Sequence, residues 1–404
     1  MGPLAGSSGA RGRRSEGCRP MPNDRPMDHA PQSSPLGRLR AWPELAEEQV
    51  LSLSHSGQGL APSEGTVHMP ERYSVSQRGE AYVLEDRESG TEAVVVPARG
   101  NNVTHYRVRP PGRAAPVDVL LPPAAPDGLG PSGYGAGNPI LFPFPNRVRH
   151  GRYTFEGRAY QLDVNEPARG NHIHGLVSNL PWRLVGAGAD EARGAWHQAS
   201  IRLADHPAAA RQYPFLCTLT VTTTLAGGAL AQEIAVENTG PGRLPMGFGT
   251  HPWFPAALDG GARPDTQVKV PGNRYWELEN LVPAGRTIPV EQDAGKYDLR
   301  RWAALGGNEY DDVFTDLVRR ADGWSEAGIR YPNAGLGLLV EASPQFREWV
   351  IYAPAARPVI CLEPYTGTTN AVNLQPQGID AGLVVLEPGA TWRAAIRTSL
   401  RPYR

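Results

Sequence analysis

Cys217, Leu219 and Val221 alternate with Thr218, Thr220 and Thr222, and a period of two is the spacing of a strand that turns one face inward. Short apolar runs recur at 93–97, 336–342, 349–353, 359–363 and 383–387, each bounded by Gly, Pro or Asn. Tyr153 and Phe155 are separated from Tyr160 and Leu162 by Glu156-Gly157, a two-residue signal for a tight hairpin. Sustained helical periodicity is scarce, while 46 glycines and 40 prolines punctuate the whole length. The pattern predicts an all-β chain: one large antiparallel β-sandwich with few short helices, an architecture that reaches this size as a single domain.

The organisation follows from shifts in composition. Residues 1–38 are rich in Pro, Gly, Ser and Arg and poor in large apolar side chains, so a disordered tail is expected there. Residues 39–70 read as a linker or a short helix, with Pro43 in its first turn and Leu45 and Leu51 on one side. The sandwich is expected over 71–404. Within it, 110–138 reads as a long loop, and long loops in compact domains are often functional.

Several functions lose their support at this stage. Forty Lys and Arg against 41 Asp and Glu give no electrostatic reason for nucleic acid or an anionic membrane as partner. Cys18, Cys217 and Cys361 form neither a disulfide framework nor a CxxC knuckle, which suits a reducing compartment. With no apolar h-region near the start, cytoplasmic residence is the expectation. GxSxG, P-loop and HExxH motifs are absent. His172 and His174 stand two apart in GNHIHG, which on a strand would put both on one face. No third ligand sits at a characteristic spacing, so the expectation is one functional histidine beside one structural neighbour, and no metal.

Five polar groups remain, set among aromatics and turn residues: Arg147 after NPILFPFPN, His174 in GNHIHGL, His251 in MGFGTHPWFP, Asp311 in NEYDDVFTDL and Glu363 in ICLEPYTG. Singly, each has an ordinary explanation as a loop charge, a satisfied core histidine or a turn cap. Glu363 fits that explanation least, because it ends an apolar run and precedes Pro364.

Together the segments resemble the aldose 1-epimerase (galactose mutarotase) family. The most specific stretch is 138–182, NPILFPFPNRVRHGRYTFEGRAYQLDVNEPARGNHIHGLVSNLPW, followed in family order by HPWF, YDDVF and CLEPYTG. The resemblance implies the galactose mutarotase-like sandwich, no cofactor, and a monosaccharide as partner. It implies Glu363 as general base, His251 as general acid, and Arg147, His174 and Asp311 as holders of sugar hydroxyls, with Asp312 competing for the last role. Mutarotation suits such a set. Ring opening removes a proton from O1 and adds one to O5, so a base and an acid act at neighbouring oxygens. Trp182, Trp253, Phe254 and Tyr365 lie in or beside these motifs; pyranoses stack on such rings, although Trp182 is expected in the core.

The implied activity is interconversion of the α and β anomers of a free aldohexose of glucose or galactose type. One alternative is a hexose-6-phosphate mutarotase, which would want an extra cation such as Arg149 or Arg169. Another is a non-catalytic carbohydrate-binding protein on the same sandwich. A polysaccharide lyase is a distant third.

Overall fold

The computed structural model describes residues 71–124 and 133–403. The expected tail and linker, 1–38 and 39–70, lie outside the described residues.

The described chain is built on three larger antiparallel sheets. Nine strands form the largest, in the order Arg183–Asp190, Gly194–Ile201, Cys217–Ala226, Ala229–Asn238, Thr391–Pro402, Leu336–Ala342, Ser325–Tyr331, Gln267–Lys269 and Ala303–Ala304. Five consecutive strands between Tyr73 and Asp118 make a meander. The third sheet carries the site. Its order is Val282–Pro289, Gly272–Glu279, Tyr310–Leu317, Glu348–Ala353 and Val359–Tyr365, with Gly249–Thr250, Trp253–Pro255 and Ile140–Leu141 closing the far edge. The longest α-helix among the described residues is Pro207–Gln212. The chain is all-β, as its alternation implied. No helix among the described residues is long and apolar enough to cross a membrane.

Alternation decides which side of each strand meets the core. On the nine-stranded sheet, Leu219, Val221, Ile234, Val236, Leu338, Val340 and Ile396 are buried in one continuous cluster. Phe314, Trp349, Ile351, Ile360 and Leu362, from the site sheet, join the same cluster. Burying side chains of this kind stabilises the fold by roughly 1.5–3 kcal/mol each. The intervening residues of the two central strands, Val350, Tyr352, Cys361, Glu363 and Tyr365, are thereby turned to the opposite face. A slip of one residue in the pairing Val350↔Glu363 would exchange the two sets and drive a carboxylate into the core. The apolar partners of the strand therefore hold Glu363 in place.

The hairpin at Glu156-Gly157 forms as expected, with both residues at positive φ and Phe155 paired to Arg158. The 110–138 segment departs from a plain loop: it contains the short strand Val117–Asp118, and its distal end delivers Tyr134 to the site.

Candidate active site

The floor of the site is two cross-strand rows on the outer face of the third sheet. Asp311 pairs with Tyr352, Tyr352 with Cys361, and Cys361 with Trp253. Beside this row, Val313 pairs with Val350 and Val350 with Glu363. Paired residues project from the same face, so Asp311, Tyr352, Trp253 and Glu363 are presented together. They line a cleft of about 320 Å³, within the usual size for small-molecule sites.

The opposite wall comes from the 138–182 block. The two-residue strands Arg147–Val148 and His172–Ile173 pair in antiparallel register, and the His174 amide donates to the Asn146 carbonyl at 2.9 Å. Asn146 and His174 both adopt left-handed backbone (φ 57° and 66°), which turns the chain and brings their side chains to the cleft. Gly175 follows at φ 70°, where a Cβ would overlap the Phe142 carbonyl oxygen. The HIHG sequence thus folds as a strand end and a turn, and His172 and His174 do not share a strand face as their spacing had implied. The ring nitrogens of His172 face the carbonyls of Asp163 and Gly175 at 2.8 and 3.2 Å, a structural placement.

The chemistry centres on Glu363 and His251, whose Oε1 and Nε2 lie 3.5 Å apart. His251 is set by its amide, which donates to the Pro139 carbonyl at 3.0 Å, and by stacking on Trp253, with centroids 4.8 Å apart and planes 15° from parallel. The His174 ring stands edge-on to both His251 and Tyr134. Nδ1 of His174 and of His251 finds no hydrogen-bond partner among the described residues. On the other carboxylate oxygen, Tyr365 donates its hydroxyl to Glu363 Oε2. Gly249 makes that reach possible, since a Cβ there would collide with the Tyr365 ring.

Arg147 is 7% exposed and held rigidly, with its Nε and Nη2 on Glu166 at 2.9 Å and Nη1 on Asn146 at 3.1 Å. Arg169 adds a longer contact to the same Glu166 at 3.3 Å. Burial alone would raise the Glu166 pKa, but the Arg147 guanidinium holds it below the usual carboxylate value. Asp311 and its neighbour part company. Asp311 lines the cleft, whereas Asp312 meets the Tyr297 hydroxyl at 3.3 Å and Lys296 at 3.6 Å.

Burial dominates the electrostatics of the Glu363–His251 pair. Glu363 is only 1% exposed, and desolvation pushes its pKa well above 4.5, opposed by the Tyr365 hydroxyl and Arg147. Desolvation likewise lowers His251 to about 3, with Arg357 contributing in the same direction. His174 is pushed well below 6.5 by burial, then by His251 and Arg147. Glu363 protonated beside neutral His251 holds one proton, the same number as carboxylate beside imidazolium. The two states differ by one transfer across 3.5 Å.

All five residues singled out in the sequence, Arg147, His174, His251, Asp311 and Glu363, are therefore brought to one cleft. Of the four aromatics named in the sequence, Trp182 is core as expected, and one ring alone reaches the cleft. Trp182 and Phe254 are core, Tyr365 is buried against Glu363, and Trp253 alone of the four lines the cleft. Glu166, Tyr134, Tyr352 and Arg357 carried no distinguishing sequence signal. Donor atoms of His251, Cys361 and Glu363 lie within 4.8 Å of one another, which identifies the residues that a metal ion would meet here.

Residues 82–399 match the family model described as Aldose 1-epimerase. The chain belongs to the aldose 1-epimerase family. The YphB protein of Escherichia coli (strain K12) is 28% identical over 263 residues, covering 62% of this chain and 78% of YphB. Galactose mutarotase of Sus scrofa is 27% identical over 168 residues, covering 40% of this chain and 44% of that enzyme. In solved structures, a galactose mutarotase-like protein from Clostridium acetobutylicum superposes with a TM-score of 0.72 at 20% identity, covering 82% of this chain and 98% of its own. Galactose 1-epimerase from Lactobacillus acidophilus NCFM gives 0.62 at 16% identity, covering 82% and 98%. The shared fold is the galactose mutarotase-like sandwich.

Proposed function

We propose that this epimerase-family chain interconverts the α and β anomers of an aldohexose of glucose or galactose type. The observation that carries the reading is a buried carboxyl and a buried imidazole 3.5 Å apart at the floor of a sugar-sized cleft.

In this mechanism Glu363, as carboxylate, takes the proton from the anomeric hydroxyl. The electron pair of that O–H bond forms the C1 carbonyl as the C1–O5 bond breaks. His251, as imidazolium, gives its proton to O5, which leaves as the C5 hydroxyl. The open aldehyde turns about C1–C2 and the steps reverse on its other face. Each proton transfer supplies a factor of about 10²–10⁴. Tyr365 donates to Glu363 and favours its charged form, and so does the O1 hydroxyl as it binds. Arg147, His174 and Asp311 hold the remaining hydroxyls and fix C1 and O5 against the pair. Neither a metal nor a redox cofactor has a step in this scheme.

A non-catalytic sugar-binding role is the second reading, and the contact between His251 and Glu363 argues against it. Binding alone does not require a desolvated acid–base pair, which is costly to bury. The test is a polarimetric panel of freshly dissolved α-anomers, including glucose and galactose. Rotation that decays faster with protein than without supports the proposal. Decay at the spontaneous rate for every sugar, with sugar binding intact, would favour the binding role.

A further inference from the structure

Arg357 occupies the turn between the strands Glu348–Ala353 and Val359–Tyr365, and its side chain lines the same cleft. It is exposed, lies 4.4 Å over the Trp253 ring, and has no carboxylate within 4 Å among the described residues. Every other cation of the cleft is committed: Arg147 binds Glu166 through two nitrogens, and Arg169 shares that carboxylate. A guanidinium fixed on an indole face, with its N–H groups unspent, is a ready receptor for a planar or tetrahedral oxyanion.

The acid–base assignment gives this cation a place along the sugar. Glu363 takes the C1 hydroxyl and His251 serves O5, so the part of the pyranose beyond O5 is C5 with its substituent C6. His251 stacks on Trp253, and Arg357 lies over that indole. Continuing from Glu363 through His251 therefore leads to Arg357 on the C6 side. The charge balance agrees. Arg147, Arg169 and Arg357 line the cleft with Asp311 and Glu363, which burial pushes toward their neutral forms, and Glu166 offsets Arg147 and Arg169 alone.

We propose that Arg357 is a specificity residue that takes an anionic group on C6, making acidic aldohexoses, as phosphate ester or carboxylate, the favoured substrates of this cleft. The proposal rests on the mutarotase reading and narrows its substrate class. It names a different residue from Arg149 or Arg169. Arg149 lines a neighbouring groove with His150 and Arg152, and Arg169 is held by Glu166.

The experiment measures anomer exchange at equilibrium by magnetisation-transfer NMR for glucose, glucose 6-phosphate and glucuronate. Calorimetric titrations with the same sugars and with inorganic phosphate run beside it, for the full chain and for Arg357→Gln and Arg357→Lys. A charge-assisted pair of this kind corresponds to roughly tenfold or more in affinity. The expected result is at least a tenfold advantage in kcat/KM for one or both acidic sugars over glucose. That advantage should collapse in Arg357→Gln, be partly kept in Arg357→Lys, and shrink as salt is added. The arm that shows it identifies the anion as phosphate or carboxylate. An equal kcat/KM for neutral and acidic sugars, or an advantage untouched by Arg357→Gln, overturns the proposal while the mutarotase reading stands. Arg357-dependent binding of an acidic sugar without anomer exchange would sustain the anion site and sink the mutarotase reading.

Discussion

Tyr365 stands two residues beyond Glu363 on the same strand face and donates its buried hydroxyl to the carboxylate. The bond opposes the desolvation that otherwise favours the protonated carboxyl. Tyr365→Phe removes the donor and leaves the ring packing. With a net value of roughly 1.5–3 kcal/mol for a hydrogen bond to a charged group, kcat should fall about tenfold to a hundredfold. Anomer-exchange NMR on the variant checks this; an unchanged kcat would show that Glu363 needs no such support.

The pH profile follows from the pair. His251 in the free site has its pKa lowered to about 3, so it gains a second proton for the pair only in strong acid. Glu363 is raised well above 4.5, so the pair loses its proton only as pH climbs past that raised value. Between these limits the pair keeps one proton. After subtraction of the spontaneous rate, kcat/KM should hold its plateau down through pH 5. An ordinary imidazole, with a pKa of about 6.5, would give a limb near neutrality. A loss of activity on acidification through that range contradicts the buried-pair reading, whereas a loss on the alkaline side belongs to Glu363.

Glu348 is a second buried carboxyl, accepting from the Trp276 indole at 3.1 Å and the Thr315 hydroxyl at 3.0 Å. Burial raises its pKa to about 8. The folded form keeps a proton that the unfolded form releases above its ordinary value near 4.3, so this contribution is fully present below that value and is lost as pH rises toward 8. The loss is about 1.4 kcal/mol per pH unit across the window. Glu348→Gln should abolish that slope: the variant's thermal midpoint should gain on the wild type as pH rises from 5 to 8. A difference between the two proteins that does not change with pH would refute the assignment.

How far the sequence could be read depended on whether position or mere presence was at issue. The alternation in VICLE places Ile360 and Leu362 in the core and Glu363 outside it, so the proposed base was legible from one strand. His174 and Arg147 were legible as a pair only through the 138–182 block, because left-handed turns at Asn146 and His174 bring them together. Strand spacing alone put His172 beside His174, and the turn undid that. Phe254 and Trp253 are adjacent in sequence and face opposite sides, a distinction that pairing with Val359–Tyr365 makes and composition cannot. Arg357 looked like any solvated turn residue, since its meaning lies in Trp253, 104 positions away in number and 4.4 Å in space.

Asp311 and Asp312 give a paired test of the sugar-holding role. Asp311→Ala should raise KM about tenfold or more and also lower kcat where the sugar is misplaced. Asp312→Ala removes a partner of Lys296 and Tyr297 and should alter stability by about 1 kcal/mol with kinetics near wild type. Steady-state kinetics and thermal melts on both variants decide it. The reverse pattern would move the role to Asp312.

The most direct measurement is the anomer-exchange rate of Glu363→Gln. The amide keeps the size of the carboxyl and can still accept from Tyr365, but it cannot carry the anomeric proton. With the fold intact by circular dichroism and a sugar still bound, the rate should drop by about 10²–10⁴ toward the spontaneous rate. A rate within a few-fold of the unmodified protein would mean that another group takes the proton and that Glu363 is not the base.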